Sequence, residues 1–161
     1  MSIKKIKPQG NFKSGLYVPK NPEKYIGDIH KIICRSSWEY RFCTYCDLNE
    51  SILKWSSEPM AIDYYNPLDK KEHKYYVDFY IKSGTGIGEN YEEWIIEVKP
   101  EKQYQKPIYE GNMTTAKLKS YNYKMQVYIV NQAKFKAATE WAKKRGFKFK
   151  VVNENFLFRG K

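Results

Sequence analysis

The chain reads as an α/β domain, and three observations lead there. Residues 74–82 and 93–99 are rich in aromatic and β-branched residues that alternate with a period of two, as strands do. Beyond residue 113, Leu118, Tyr121, Met125 and Tyr128 recur at the three-and-four spacing of a helix, as do Phe135, Ala138, Trp141 and Ala142 further on. Residues 147–152 return to strict alternation. At 161 residues, 42% hydrophobic and 17% aromatic, the chain is one domain long enough to bury a core.

The elements follow in order. Residues 1–20 are basic and interrupted by Pro8, Gly10, Gly15 and Pro19, which makes them an extended arm that either lies along a partner or is a solvated tail. The domain proper spans 21–152, opening on a turn at Asn21 and Pro22 and a short strand at 29–33. Ser36 or Ser37 caps a first helix with Trp38, Phe42 and Tyr45 on its core face, and Glu39 sits in its first turn, where the helix end favours a carboxylate. Cys43 and Cys46, with Cys34 and His30 upstream, either complete a zinc site or are buried as small hydrophobes; their place inside a helix favours burial. Residues 52–55 and 60–65 lead through a turn at 66–72 into the strand carrying Asp78, and a meander results with the Glu97 strand as its third member. The glycines of 83–88 fit a hairpin loop and match no phosphate-loop spacing. Pro100 ends the Glu97 strand, and in the polar stretch after it Glu101, Lys102, Gln103 and Lys106 are near enough to touch a substrate. Thr114 or Thr115 starts the next helix, Asn131 or Gln132 interrupts it, and a second helix ends at Gly146. After the last strand, residues 153–161 form a tail.

Chemistry concentrates in two of these strands. Trp94, Ile96 and Val98 share one face of their strand, which leaves Ile95, Glu97 and Lys99 together on the other. If this strand pairs as a hairpin with that of Asp78, then Asp78, Glu97 and Lys99 converge at one end of a sheet. Carboxylates there offer the hard oxygen ligands that Mg²⁺ or Mn²⁺ takes, and an ammonium can steady a water or a phosphate. The plain alternative is a surface ion pair worth little to stability.

Asp78 followed by Glu97-Val98-Lys99 resembles the signature of the restriction-endonuclease-like, or PD-(D/E)xK, nucleases, with Val77 where a proline often precedes the aspartate. Arg35-Ser36-Ser37-Trp38-Glu39, Trp55-Ser56-Ser57-Glu58-Pro59 and Tyr76-Val77-Asp78-Phe79 are similar, in order, to blocks of the TnsA-like branch. Asn21 to Gly27 resembles the corresponding stretch of the head-completion nucleases of T-even-type tailed phages. The resemblance implies an αβββαβ core, a mixed central sheet flanked by helices, with which the order read above agrees. It further implies a metal-dependent DNA endonuclease or end-processing nuclease in which Asp78, Glu97 and the Val98 carbonyl bind Mg²⁺ or Mn²⁺. Glu39 would complete the ligand set or hold a water, and Lys99 would orient or activate the attacking water. Action on packaged DNA in phage head completion, with capsid or portal components as partners, is implied in the same way.

Charge agrees with a nucleic-acid partner. Twenty-nine Lys and Arg against 18 Asp and Glu give a net charge of +11, and the only arginines are Arg35, Arg41, Arg145 and Arg159. Lysine attracts phosphates without reading base edges, so binding should be salt-sensitive and indifferent to sequence. With no ~20-residue apolar run and no secretory signal, the chain is expected to stay in a cytoplasm without membrane contact, and the resemblance implies that of the host cell, or the virion. A non-catalytic DNA-binding protein would keep the same charge, and the resemblance leaves two further rivals, a structural head-closure protein and a TnsA-like transposase subunit. The oligomeric state is not legible.

Overall fold

A mixed four-stranded sheet carries the domain. The computed structural model describes residues 14–88 and 90–159. In chain order the elements are β1 (Gly15–Leu16), β2 (Ile33–Cys34), α1 (Ser37–Leu48), β3 (Ile52–Ser57), β4 (Ala61–Asn66), β5 (Lys71–Tyr76), β6 (Phe79–Gly84), β7 (Tyr91–Val98), α2 (Thr115–Lys144), β8 (Lys148–Val152) and α3 (Glu154–Leu157). The sheet runs β3-β6-β7-β8, antiparallel between its first three strands and parallel between β7 and β8. The α/β class with a mixed central sheet is therefore as expected. Among the described residues no helix is long and apolar enough to cross a membrane.

Alternation along β7 divides the interior into two cores. On one face Ile96 and Val98 pack with Trp55, Phe79, Ile81 and Val152 against Phe42 and Cys43 of α1 and Leu157 of α3. On the other, Ile95 packs with Val77, Tyr75 and Ile62 against Ala138 and Ala142 of α2. Small residues on α2 let that helix approach the sheet closely. Ser36, in extended conformation, caps α1 by accepting from the Glu39 amide, and Thr114 caps α2 by accepting from the Lys117 amide.

Four expectations need correction. The run 74–82 is not one strand: it breaks at Val77 and Asp78, so that β5 pairs with β4 in a separate hairpin while β6 joins the sheet. Val77 and Phe79 consequently enter opposite cores. The helices beyond residue 113 are one unbroken α2 of 30 residues, about 45 Å long, because Asn131 finds partners inside the fold instead of ending the helix. The short strand read at 29–33 is β2, displaced to Ile33–Cys34. Residues 153–158 are not a tail but a short capped helix, since Asn153 caps α3, Leu157 is buried, and the Leu157 carbonyl accepts from Arg41 Nε at 2.6 Å.

Of the amino-terminal arm, residues 1–13 lie outside the described residues, and the segment from Tyr17 to Lys24 is tied down. Asp47, wholly buried at the end of α1, accepts from the Tyr17 hydroxyl at 2.8 Å and from the amides of Lys20 and Asn21 at 2.7 and 2.9 Å. Lys24 Nζ donates to the carbonyls of Cys46, Asp47 and Asn49, which neutralises the carboxyl end of the helix. Burial pushes the Asp47 carboxyl up, but the Lys20 amide, the Tyr17 hydroxyl and Asn21 outweigh it and hold the group below its ordinary range. Asp47→Ala is expected to cost roughly 3 kcal/mol or more, because it leaves three donors unsatisfied. A carboxyl depressed by folding contributes stability above its unfolded pKa of about 3.9, and loses it as pH falls through the folded value. In urea unfolding, the advantage of the wild type over Asp47→Asn should thus be full at neutral pH and shrink in acid; an advantage constant with pH would contradict this.

Candidate active site

The β6–β7 register determines what meets at the end of the sheet. Phe79 lies opposite Ile96, and one step beyond that pair brings Asp78 level with Glu97. The bend at Val77 and Asp78 frees Asp78 from a strand's hydrogen-bonding duties, while its carbonyl still accepts from the Glu58 amide at 2.8 Å. Asp78 Oδ2 accepts from the Val98 amide at 2.8 Å, which fixes the carboxylate against β7. Its other oxygen has no hydrogen bond among the described residues.

Glu97 is 5% exposed and is held from both sides. Its Oε2 accepts from the Tyr75 hydroxyl at 2.6 Å, and its Oε1 is ion-paired with Lys99 Nζ. Lys99 extends the β7–β8 ladder by one residue, its amide donating to the Val152 carbonyl at 2.9 Å. Lys99 Nζ also reaches Asn131 Oδ1 at 3.5 Å and stands 5.8 Å from the Phe135 ring. Asn131 Nδ2 in turn donates to the Gln103 carbonyl at 2.9 Å, which ties α2 to the segment after β7. Asp78, Glu97 and Lys99 are thus brought together as the sequence led us to expect. The Glu97–Lys99 pair joins a buried carboxylate to a partly buried ammonium, unlike the surface ion pair of the alternative reading.

The electrostatics of this cluster are those of crowded acids. Burial pushes the Asp78 carboxyl well above its usual range, and the neighbouring charge of Glu97 pushes it further, against the Val98 amide and Lys99. Burial, then the Glu97 charge, raise the Tyr75 phenol as well, so it remains a donor. A cavity of about 420 Å³ opens beside Asp78, and Arg35, Glu58, Lys74, Tyr75 and Lys134 also line it.

Glu39 stands apart from this set. Its carboxylate accepts from the Arg35 amide at 2.8 Å and the Ser36 hydroxyl at 3.2 Å, closing the cap of α1, while its charge is near enough to contribute to raising Asp78. Among the described residues no three acidic, histidine or cysteine side chains converge to hold a metal. The cysteines are core residues: Cys34 and Cys43 sulfurs lie 3.4 Å apart, Cys46 is fully buried, and His30 is exposed. Burial raises Cys43 and Cys46 well above the usual thiol range, which disfavours the thiolates a zinc site needs.

Sequence reasoning missed the roles of Tyr75 and Asn131, and it named Lys134 only among the α2 lysines, some of which could contact phosphates. Tyr75 had a signal, an aromatic three residues before Asp78, but alternation along one strand puts it on the face opposite Asp78 and does not reveal the bend that brings its hydroxyl to Glu97. Asn131 was visible as a polar residue in an apolar stripe. Lys134 carried no signal that separates it from the other lysines of α2.

Residues 49–154 match the family described as TnsA-like endonuclease N terminal, a span that includes Asp78, Glu97 and Lys99 and excludes Glu39. The chain is also 39% identical over 144 residues to the head completion nuclease of Enterobacteria phage T4, covering 89% of this chain and 93% of that protein. No solved structure matches it. With two thirds of its length inside the match and the paired carboxylates and lysine at the end of the central sheet, the chain belongs to the TnsA-like endonuclease family.

Proposed function

We propose that the protein is a divalent-metal-dependent DNA endonuclease or end-processing nuclease of low sequence specificity, acting in phage head completion after DNA packaging. The observation that carries the chemistry is the meeting of Asp78 and Glu97 just beyond the last β6–β7 rung with Lys99 held against Glu97. The residues fit Mg²⁺ or Mn²⁺: a hydrated hard cation needs only one or two carboxylates, and Asp78 keeps an oxygen free beside a cavity while its charge is crowded by Glu97. Asp78, Glu97 and the Val98 carbonyl would hold the ion, with Glu39 holding a water from the α1 side. When bound, the cation would supply Lewis acidity toward a phosphate and acidity to a coordinated water.

The chain's own groups then have distinct work. Tyr75 and Lys99 fix the two oxygens of Glu97, which keeps the carboxylate aimed. Lys99, positioned by Asn131, orients the water that attacks phosphorus in line with the departing oxygen. The abundant lysines attract the DNA backbone, and the scarcity of arginine agrees with low sequence preference. The likeness to a protein named head completion nuclease supports the biological setting, capsid or portal components as partners, and a place in the host cytoplasm or the virion.

Plasmid nicking with Mg²⁺, and its loss in EDTA, tests the reading. Asp78→Asn and Lys99→Met should each lower cleavage about 10²-fold or more, and full activity in both variants would overturn the mechanism. Tyr75→Phe, which removes one hydrogen bond to Glu97 and little volume, should cost about tenfold; a wild-type rate would show that Tyr75 does not orient the carboxylate. For the setting, a phage defective in this chain and supplied with Asp78→Asn should yield no more infectious particles than the unsupplied control.

A further inference from the structure

Three cations line the cavity beside Asp78, and two of them are already engaged. Arg35 is ion-paired with Glu58, and Lys74 with Asp63. Lys134 has no hydrogen bond or ion pair among the described residues. It is half-buried on α2, one turn beyond Asn131 and one turn before the buried Ala138, on the face that packs toward the sheet. Its ammonium lies 5.6 Å from the Tyr75 ring and 5.7 Å from the Tyr64 ring, so the charge is flanked by two aromatic rings. A lysine on a solvated helix face gains nothing from such a position.

We propose that Lys134 is the phosphate-holding cation of this site, and that the cavity it shares with Asp78 and Arg35 seats the phosphodiester to be cut. The inference rests on the nuclease reading above and adds to it where the substrate's phosphate lies and which side chain binds it. Lys99 does not serve this purpose at the same time, because two of its three donors go to Glu97 and Asn131 and the third is left for the water assigned to it above. Lys134 is withdrawn from water and near enough to Lys99 to feel its like charge; both lower its affinity for a proton, while Glu97 and Asp78 act the other way. An ammonium left without an anion in the free protein gains one when a phosphate enters. The aromatic flank gives that contact a low local dielectric, where it is worth more than a contact from an exposed lysine.

The test uses the full chain and four variants: Lys134→Met, Lys134→Arg, Lys143→Met as an exposed control in the last turn of α2, and Asp78→Asn. Cleavage of a plasmid is measured with Mg²⁺, and binding of a short DNA duplex is measured in EDTA across a salt series. Lys134→Met should lose roughly tenfold or more in cleavage, keep its melting temperature, and reduce the slope of log affinity against log salt by about one. Lys134→Arg should restore most of the cleavage, and Lys143→Met should cleave as the wild type does. Wild-type cleavage in Lys134→Met would overturn the proposal. So would a loss matched by lowered melting temperature and not rescued by Lys134→Arg, or an equal loss in Lys143→Met. If Asp78→Asn also cleaves normally, it is the nuclease site that fails; if Asp78→Asn is inactive and Lys134→Met is normal, only the phosphate seat fails.

Discussion

Asp78 and Glu97 are carboxylates set side by side one step beyond the last paired rung of β6 and β7, where burial and then the Glu97 charge push the Asp78 carboxyl well above its usual range. Like charges at such a spacing persist in a fold only when other groups offset them. Here the Val98 amide takes one oxygen of Asp78, while the Tyr75 hydroxyl and the Lys99 ammonium take both oxygens of Glu97. What remains unsatisfied is one face of Asp78, open to the cavity. On the proposed function that imbalance is what a hydrated cation relieves.

Much of the surrounding architecture exists to hold these partners in place. The β4–β5 hairpin leaves the sheet at the Val77–Asp78 bend and carries Tyr75 back over Glu97. The unbroken α2 reaches across the same face, with Ala138 and Ala142 allowing close approach and Asn131 linking Lys99 to the Gln103 carbonyl. On the opposite face, α1 packs Phe42 and Cys43 under the strands, and Asp47 fastens the amino-terminal segment to the end of that helix. The site thus lies between an outer layer of hairpin and helix and an inner sheet, supported from beneath by a second core.

The alternation of Trp94 to Lys99 was legible because a period of two has one interpretation once a strand has two buried faces. Glu97 and Lys99 fall on the α2 side as it requires, and the hairpin with the Asp78 strand forms as expected. Residues 74–82 were misread for a related reason: the same periodicity spans two strands, and nothing local marks the bend at Val77, since the proline that would have signalled it is absent. Asn131 was read as a helix break because propensity counts an asparagine as a cost, whereas here tertiary hydrogen bonds offset that cost. The first-turn reading of Glu39 accounts for its two hydrogen bonds, and its part in a metal site remains a proposal. Lys134 could be singled out only in three dimensions, by having no hydrogen bond or ion pair among the described residues where Arg35 and Lys74 each have an ion pair.

Thermal unfolding in EDTA and then in millimolar MgCl₂ or MnCl₂, for the wild type and for Asp78→Asn, tests the crowded-carboxylate site most directly. A ligand that binds only the folded protein raises its melting temperature. The expected result is a rise with either metal in the wild type that Asp78→Asn abolishes. No rise in the wild type, or the same rise in both proteins, would contradict a cation site built on Asp78 and Glu97.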